Sequence, residues 1–206
     1  MILRELCGGT PVTWLFSLLS SFFLGTPPAA VEPPKERPAI LETATLAAGC
    51  FWGSEEFFRK VPGVYETRVG YIGGPKKSSY EEVTTGRTGH AEAVEVSFDP
   101  TKVSYEELLT LFFKFHDPTT KDRQGNDQGS QYRSAIFAQN DLQAKAAKTL
   151  MAKIERSGAW KKSLSTQISE GKTFYAAEDY HQKYLVKNPG GYDNHYLRDL
   201  NFDKQK

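Results

Sequence analysis

The stretch ETATLAAGCFWGSEEFFRK, residues 42–60, carries a switch from strand to helix with a thiol at the junction. ETATLAAG (42–49) reads as a short strand ending on a glycine. CFWGSEEFFRK (50–60) then reads as a helix that Pro62-Gly63 stops. Cys50 therefore falls at a helix N-terminus, where free backbone N–H groups and the helix dipole favour a thiolate over the ordinary thiol pKa of about 8.5. Glycines flank this thiol and its aromatic neighbours, Phe51 and Trp52. A buried structural cysteine needs no such setting. A nucleophile that must meet a small apolar group does.

Further along, YETRVGYIGG (65–74) reads as a strand and turn, and the polar, Gly-rich residues 75–90 as a long loop. AEAVEVSFDP (91–100) reads as a strand, in which alternate residues share a face. Glu92, Val94, Val96 and Phe98 fall on one side, so Glu92 projects from the apolar face. A carboxylate is costly there unless it is paired or neutral. Three readings of Glu92 follow: a strand-end group that reaches water, a partner of a buried arginine, or a carboxyl kept protonated by burial to act as a general acid.

SYEELLTLFFKFH (104–116) opens on a capping box, Ser104 with Glu107, and predicts a helix packed on a sheet. YRSAIFA (132–138) predicts a strand, 141–158 a helix stopped by Gly158, LSTQIS (164–169) a strand and 176–188 a helix. The order from residue 42 is β-α-β-β-α-β, then α, β, α. The first six elements match a split βαβ unit. The fold class is α+β: one ferredoxin-like core with additional C-terminal helices and a strand.

The net charge is +1 over 206 residues, with no basic stripe, so no nucleic-acid partner is implied. There is no zinc-type Cys/His spacing, and His90, His116, His181 and His195 are scattered. VTWLFSLLSSFFLG (12–25) is apolar and of signal-peptide length. Residues 1–30 are read as a signal peptide or membrane anchor, 31–42 as a Pro-rich linker, 43–196 as the catalytic domain and 197–206 as a charged tail. A cleaved leader implies export to a periplasm or medium, and an uncleaved one a membrane anchor; without a true leader the chain stays cytoplasmic. Cleavage would remove Cys7 and leave Cys50 the only thiol.

GCFWG with SEEFFRKVPGV, together with GYIGG (70–74), TGHAEAVEVSFDP (88–100), HDPT (116–119), QGNDQGSQYRSAIF (124–137) and AEDYHQKYL (177–185), resembles the peptide methionine sulfoxide reductase A family. The blocks keep their order over residues 43–192. The resemblance implies that Cys50 attacks the sulfur of a methionine S-sulfoxide and that Glu92 protonates the sulfoxide oxygen. It implies that Phe51 and Trp52 hold the substrate methyl group, while Tyr80, Asp127 and Tyr132 line the site. It implies no bound cofactor. The substrates are free methionine sulfoxide and oxidised proteins, and the reductant is an external thiol, either a thioredoxin-like protein or a small molecule. A monomer is expected. A thiol peroxidase also uses a reactive cysteine, but has no need of methyl-binding aromatics.

One block departs from the family pattern. Many members carry a second cysteine after a Gly-Tyr near the C-terminus, which resolves the sulfenic acid as an internal disulfide. In NPGGYDNHY (188–196), Asp193 stands at that place. The expectation is a one-cysteine enzyme reduced directly from outside.

Overall fold

A computed structural model describes residues 37–204. The apolar leader, Cys7 and most of the Pro-rich linker lie outside the described residues. Among the described residues, no helix is long and apolar enough to cross a membrane.

β1 (Glu42–Ala48) runs into α1 (Phe51–Phe58), followed by β2 (Val64–Ile72), α2 (Tyr80–Thr84), β3 (Ala91–Phe98) and α3 (Tyr105–Phe115). A small hairpin of β4 (Arg123–Gln124) and β5 (Asp127–Gln128) leads through a 3-10 turn to β6 (Ser134–Ala138). α4 (Asp141–Ser157), β7 (Gln167–Glu170), β8 (Phe174–Ala176) and α5 (Tyr184–Lys187) complete the described elements. The six-stranded sheet has the order β7-β6-β1-β3-β2-β8. Its inner four strands, β6-β1-β3-β2, are all antiparallel neighbours in the split βαβ arrangement that the sequence order predicts.

The alternation of β3 decides what lies where. Val94, Val96 and Phe98 join the main core with Phe51 and Phe58 of α1, the α3 residues Leu108, Leu109, Phe112, Phe113 and Phe115, and Ala147 and Ile154 of α4. Ala91 and Ala93 face the other way, into a thinner layer with Ala47, Ile72, Ala135 and Phe137. α3 begins with the expected capping box, in which Ser104 accepts from Glu107 N and the Glu107 carboxylate accepts from Ser104 N.

Three stretches differ from the sequence reading. The stretch expected as a loop, 75–90, contains α2, which opens on a capping box of Ser79 with Glu82 that the sequence reading missed. The helix expected over 176–188 is not continuous. Its first residue ends β8, which pairs with β2, and only Tyr184–Lys187 is helical. Tertiary bonds replace helical ones there: Gln182 accepts from Val69 N and donates to the Val69 carbonyl, and Lys183 takes up φ 54°. Residues 197–204 of the expected charged tail are docked rather than free. Phe202 is buried in the main core, and Arg198 lies over the rings of Trp160 and Tyr196.

Removing the Phe202 ring should cost about 3 kcal/mol, the low end for a buried Phe→Ala change. Urea unfolding of Phe202→Ala checks this; a loss under about 0.5 kcal/mol would return the segment to the status of a surface tail.

Candidate active site

Cys50 is the N-cap residue of α1, and its neighbour Gly49 turns the chain out of β1 at φ 94°. A side chain at Gly49 would strike Gln124, so both the backbone angle and the space require glycine. The thiol is 7% exposed. On the adjacent strand, Glu92 is 1% exposed, and its Oε2 accepts a 3.1 Å hydrogen bond from the Phe51 N–H. Of the three readings of Glu92, the structure excludes water access and gives it no arginine partner among the described hydrogen bonds and ion pairs. Burial pushes its carboxyl up to about 8, with the Phe51 N–H acting in the opposite sense and Asp127 adding to the rise. The protonated form is thereby favoured near neutral pH.

The thiol departs from the helix-terminus expectation. Burial holds its pKa well above the ordinary value, and the Glu92, Asp127 and Asp193 charges act in the same direction. Only the backbone N–H of Trp52 favours the thiolate. Desolvation outweighs the helix end here because the side chain is almost fully shielded from solvent.

Tyr80 and Tyr132 come from α2 and the 3-10 turn before β6. Burial raises the Tyr80 hydroxyl to about 12, with further contributions from Glu92 and Cys50. Tyr132 is raised by burial and then by Glu92, Tyr80, Asp127 and Cys50. Both phenols therefore remain hydrogen-bond donors beside the thiol and carboxyl. Asp127, in β5, accepts from the Tyr192 hydroxyl and from Asn194 Nδ2, each at 2.8 Å. The fold thus draws all seven sequence-predicted residues to one place, the junction of β1 with α1.

The aromatic wall is larger than the sequence reading. Trp52 stacks on Tyr184 with ring centroids 3.8 Å apart, and its Nε1–H donates to His181 Nδ1 at 3.0 Å. Burial lowers the His181 pKa, so the ring is neutral and its hydrogen resides on Nε2, which has no hydrogen-bond partner. The His181 ring also meets Phe51, Tyr80 and Tyr180, at 5.1, 4.5 and 4.2 Å. Glu178 accepts from the Tyr71 hydroxyl and from Tyr80 N. His181, Tyr184 and Glu178 fall in the AEDYHQKYL block, but no periodicity assigns them to the site. Asp193 accepts from His195 N and lies 2.9 Å from His195 Nδ1, while His195 Nε2 lies 2.7 Å from the Ala48 carbonyl oxygen. This pair packs on Gly53, where any side chain would collide with both.

Among the described residues, no group of three or more His, Cys, Asp or Glu side chains is placed to hold a metal. A cavity of about 620 Å³ between the starts of α3 and α4, lined by Tyr105, Gln139 and Gln143 among others, shares no residue with this cluster. It contains no cysteine, so the chemistry is assigned to the Cys50 cluster.

Residues 42–206 match the family model described as peptide methionine sulfoxide reductase. The peptide methionine sulfoxide reductase MsrA of Methanothermobacter thermautotrophicus is 55% identical over 149 residues, covering 72% of this chain and 88% of that protein. The crystal structure of Mxr1 from Saccharomyces cerevisiae in reduced form matches with a TM-score of 0.70 and 41% identity, covering 80% of this chain and 96% of that one. Mxr1 in complex with Trx2 matches with a TM-score of 0.51 and 30% identity, over 80% of this chain and 95% of that one.

The raised Glu92 pKa has a consequence for stability. The folded pKa is about 8 against an ordinary 4.5, so the folded state holds a proton that the unfolded chain releases between those values. Wild-type stability therefore falls relative to Glu92→Gln as pH rises from about 4.5 to 8, and the difference levels off above 8. Melting temperatures of both proteins across pH 4–9 check this; a constant difference would mean that Glu92 is already ionised in the fold.

Proposed function

The chain belongs to the peptide methionine sulfoxide reductase family and reduces methionine sulfoxide to methionine, and from that premise we propose that Cys50 is its nucleophile and Glu92 its proton donor. The observation that carries this reading is the buried Glu92 carboxyl, hydrogen-bonded to the residue beside the thiol. A sulfoxide oxygen leaves sulfur readily only when protonated. A neutral carboxyl in a dry site is suited to donate that proton.

In this reading the substrate methyl group rests against Phe51 and Trp52, and the sulfoxide oxygen faces Glu92, Tyr80 and Tyr132. The Cys50 sulfur attacks the sulfoxide sulfur as Glu92 lends its proton to the oxygen. The thiol proton replaces the one lent. The hydroxyl then passes from the substrate sulfur to the Cys50 sulfur as the new S–S bond breaks, so methionine leaves and Cys50 is left as a sulfenic acid. Sulfur in the substrate is reduced by two electrons and Cys50 is oxidised by two. We assign the S epimer of the sulfoxide, free or within oxidised proteins, so that the activity serves protein repair.

An external thiol completes the cycle. It attacks the sulfenic sulfur, water departs, and a mixed disulfide forms that a second thiol releases. Asp193 in place of a second cysteine favours this one-cysteine route, since Cys50 is the one free cysteine among the described residues. The Mxr1 complex with Trx2 favours a thioredoxin-like reductant.

One equivalent of methionine S-sulfoxide without reductant should give one methionine per enzyme and a trappable sulfenic acid at Cys50, read by intact mass. An unmodified Cys50 with methionine released would overturn the nucleophile assignment. Glu92→Gln should slow the single-turnover step by about 10²–10⁴. It should also remove the fall in wild-type rate as pH rises past about 8, the value at which Glu92 loses its proton. A Glu92→Gln profile that keeps that fall would point to another donor.

A further inference from the structure

The methyl-binding wall depends on a segment held by little regular secondary structure, the single turn of α5. Trp52 sits on α1, but its two side-chain partners, His181 and Tyr184, come from the broken stretch after β8. Between them in sequence stands Lys183, one of two non-glycine residues with positive φ among the described residues. Its backbone N–H donates to Glu55 Oε2 at 2.8 Å, and its Nζ donates to Glu55 Oε1 at 2.8 Å. Nζ also reaches the carbonyl and hydroxyl oxygens of Thr67 on β2, and that hydroxyl donates to Glu55 Oε1 at 2.9 Å. Glu55 lies three residues after Trp52 on α1, with its side chain 2% exposed.

A left-handed lysine is strained, and a buried carboxylate is costly to desolvate. Both persist where surrounding structure imposes them, and a buried ion pair is weak support for stability alone. What the arrangement accomplishes is geometric. The left-handed turn breaks the helix between residues 181 and 184, directing His181 to the edge of the indole and Tyr184 to its face. The Glu55 tie fixes that turn to the same helix that carries Trp52. We infer that Lys183, through Glu55 and Thr67, is a positioning residue that sets the Trp52 wall for the substrate methyl group. This rests on the reading of Trp52 as part of that wall.

The test compares Lys183→Met, Glu55→Gln/Lys183→Met and Trp52→Ala with wild type, using free methionine sulfoxide and excess dithiothreitol. The readouts are KM, single-turnover rate at saturating substrate, and melting temperature. A misplaced wall loosens ground-state and transition-state binding together, so Lys183→Met should raise KM about tenfold while the saturated single-turnover rate stays within about twofold. The double variant leaves no unpaired buried charge, so it keeps the comparison available if Lys183→Met does not fold; it should show the same rise in KM. A melting temperature that falls while KM stays at the wild-type value in both variants would overturn the inference and leave a structural strut. Trp52→Ala separates the two premises. If it raises KM and the Lys183 variants do not, the tie is refuted; if Trp52→Ala leaves KM unchanged, the wall itself is refuted, and the inference falls with it.

Discussion

The structure turns on one buried hydrogen bond, from the Phe51 N–H at the start of α1 to the Glu92 carboxyl on β3. It joins the element that carries the thiol to the strand that carries the acid. It also uses one of the N–H groups that a helix start leaves free, where the positive end of the dipole favours a carboxyl oxygen. The same contact explains why Glu92 is tolerated on a core face. One oxygen is satisfied by backbone, and burial leaves the rest of the group neutral rather than charged. Every other site residue is arranged relative to this pair.

The C-terminal third supplies the surroundings. Glu178 fixes Tyr71 and the first residue of α2, His181 and Tyr184 grip Trp52, and the Asp193–His195 pair lies over Gly53 and Ala48. These groups are far from α1 in sequence, and most are held by side-chain bonds rather than by a strand or helix. The ferredoxin-like core therefore provides the catalytic pair, and an irregular wrap provides the walls. Such a division suits a site that must be both dry and open to a polypeptide.

What the sequence revealed follows the same division. The core was legible because its signals are local: period-two alternation in β3, the capping box at Ser104, glycines at turns. The position of Glu92 on an apolar face came from alternation alone. The wrap was not legible in this way. AEDYHQKYLVKN has good helix formers throughout, and their preference is overridden by the Gln182 bonds to Val69 and the Lys183 bonds to Glu55. Phe202 likewise carries no periodic context that would mark it as core. The thiol pKa was misread for a related reason: a helix N-terminus is visible in sequence, whereas the burial that outweighs it is not.

That misreading bears on which chemistry the site favours. A peroxidatic cysteine works as a standing thiolate, ready for any small oxidant that reaches it. Cys50 is the reverse: burial pushes its thiol pKa well above the ordinary value and favours the protonated form. In the proposed chemistry, the nucleophile is then generated only when a sulfoxide accepts the Glu92 proton and Glu92 can take the proton from sulfur. The thiol and carboxyl are both neutral at rest, and together they hold the two protons that the exchange moves. Activation is thereby tied to a substrate that has a basic oxygen beside a small apolar group. The aromatic wall selects for the second feature and the proton pair for the first, which separates this site from a general thiol oxidised by peroxide.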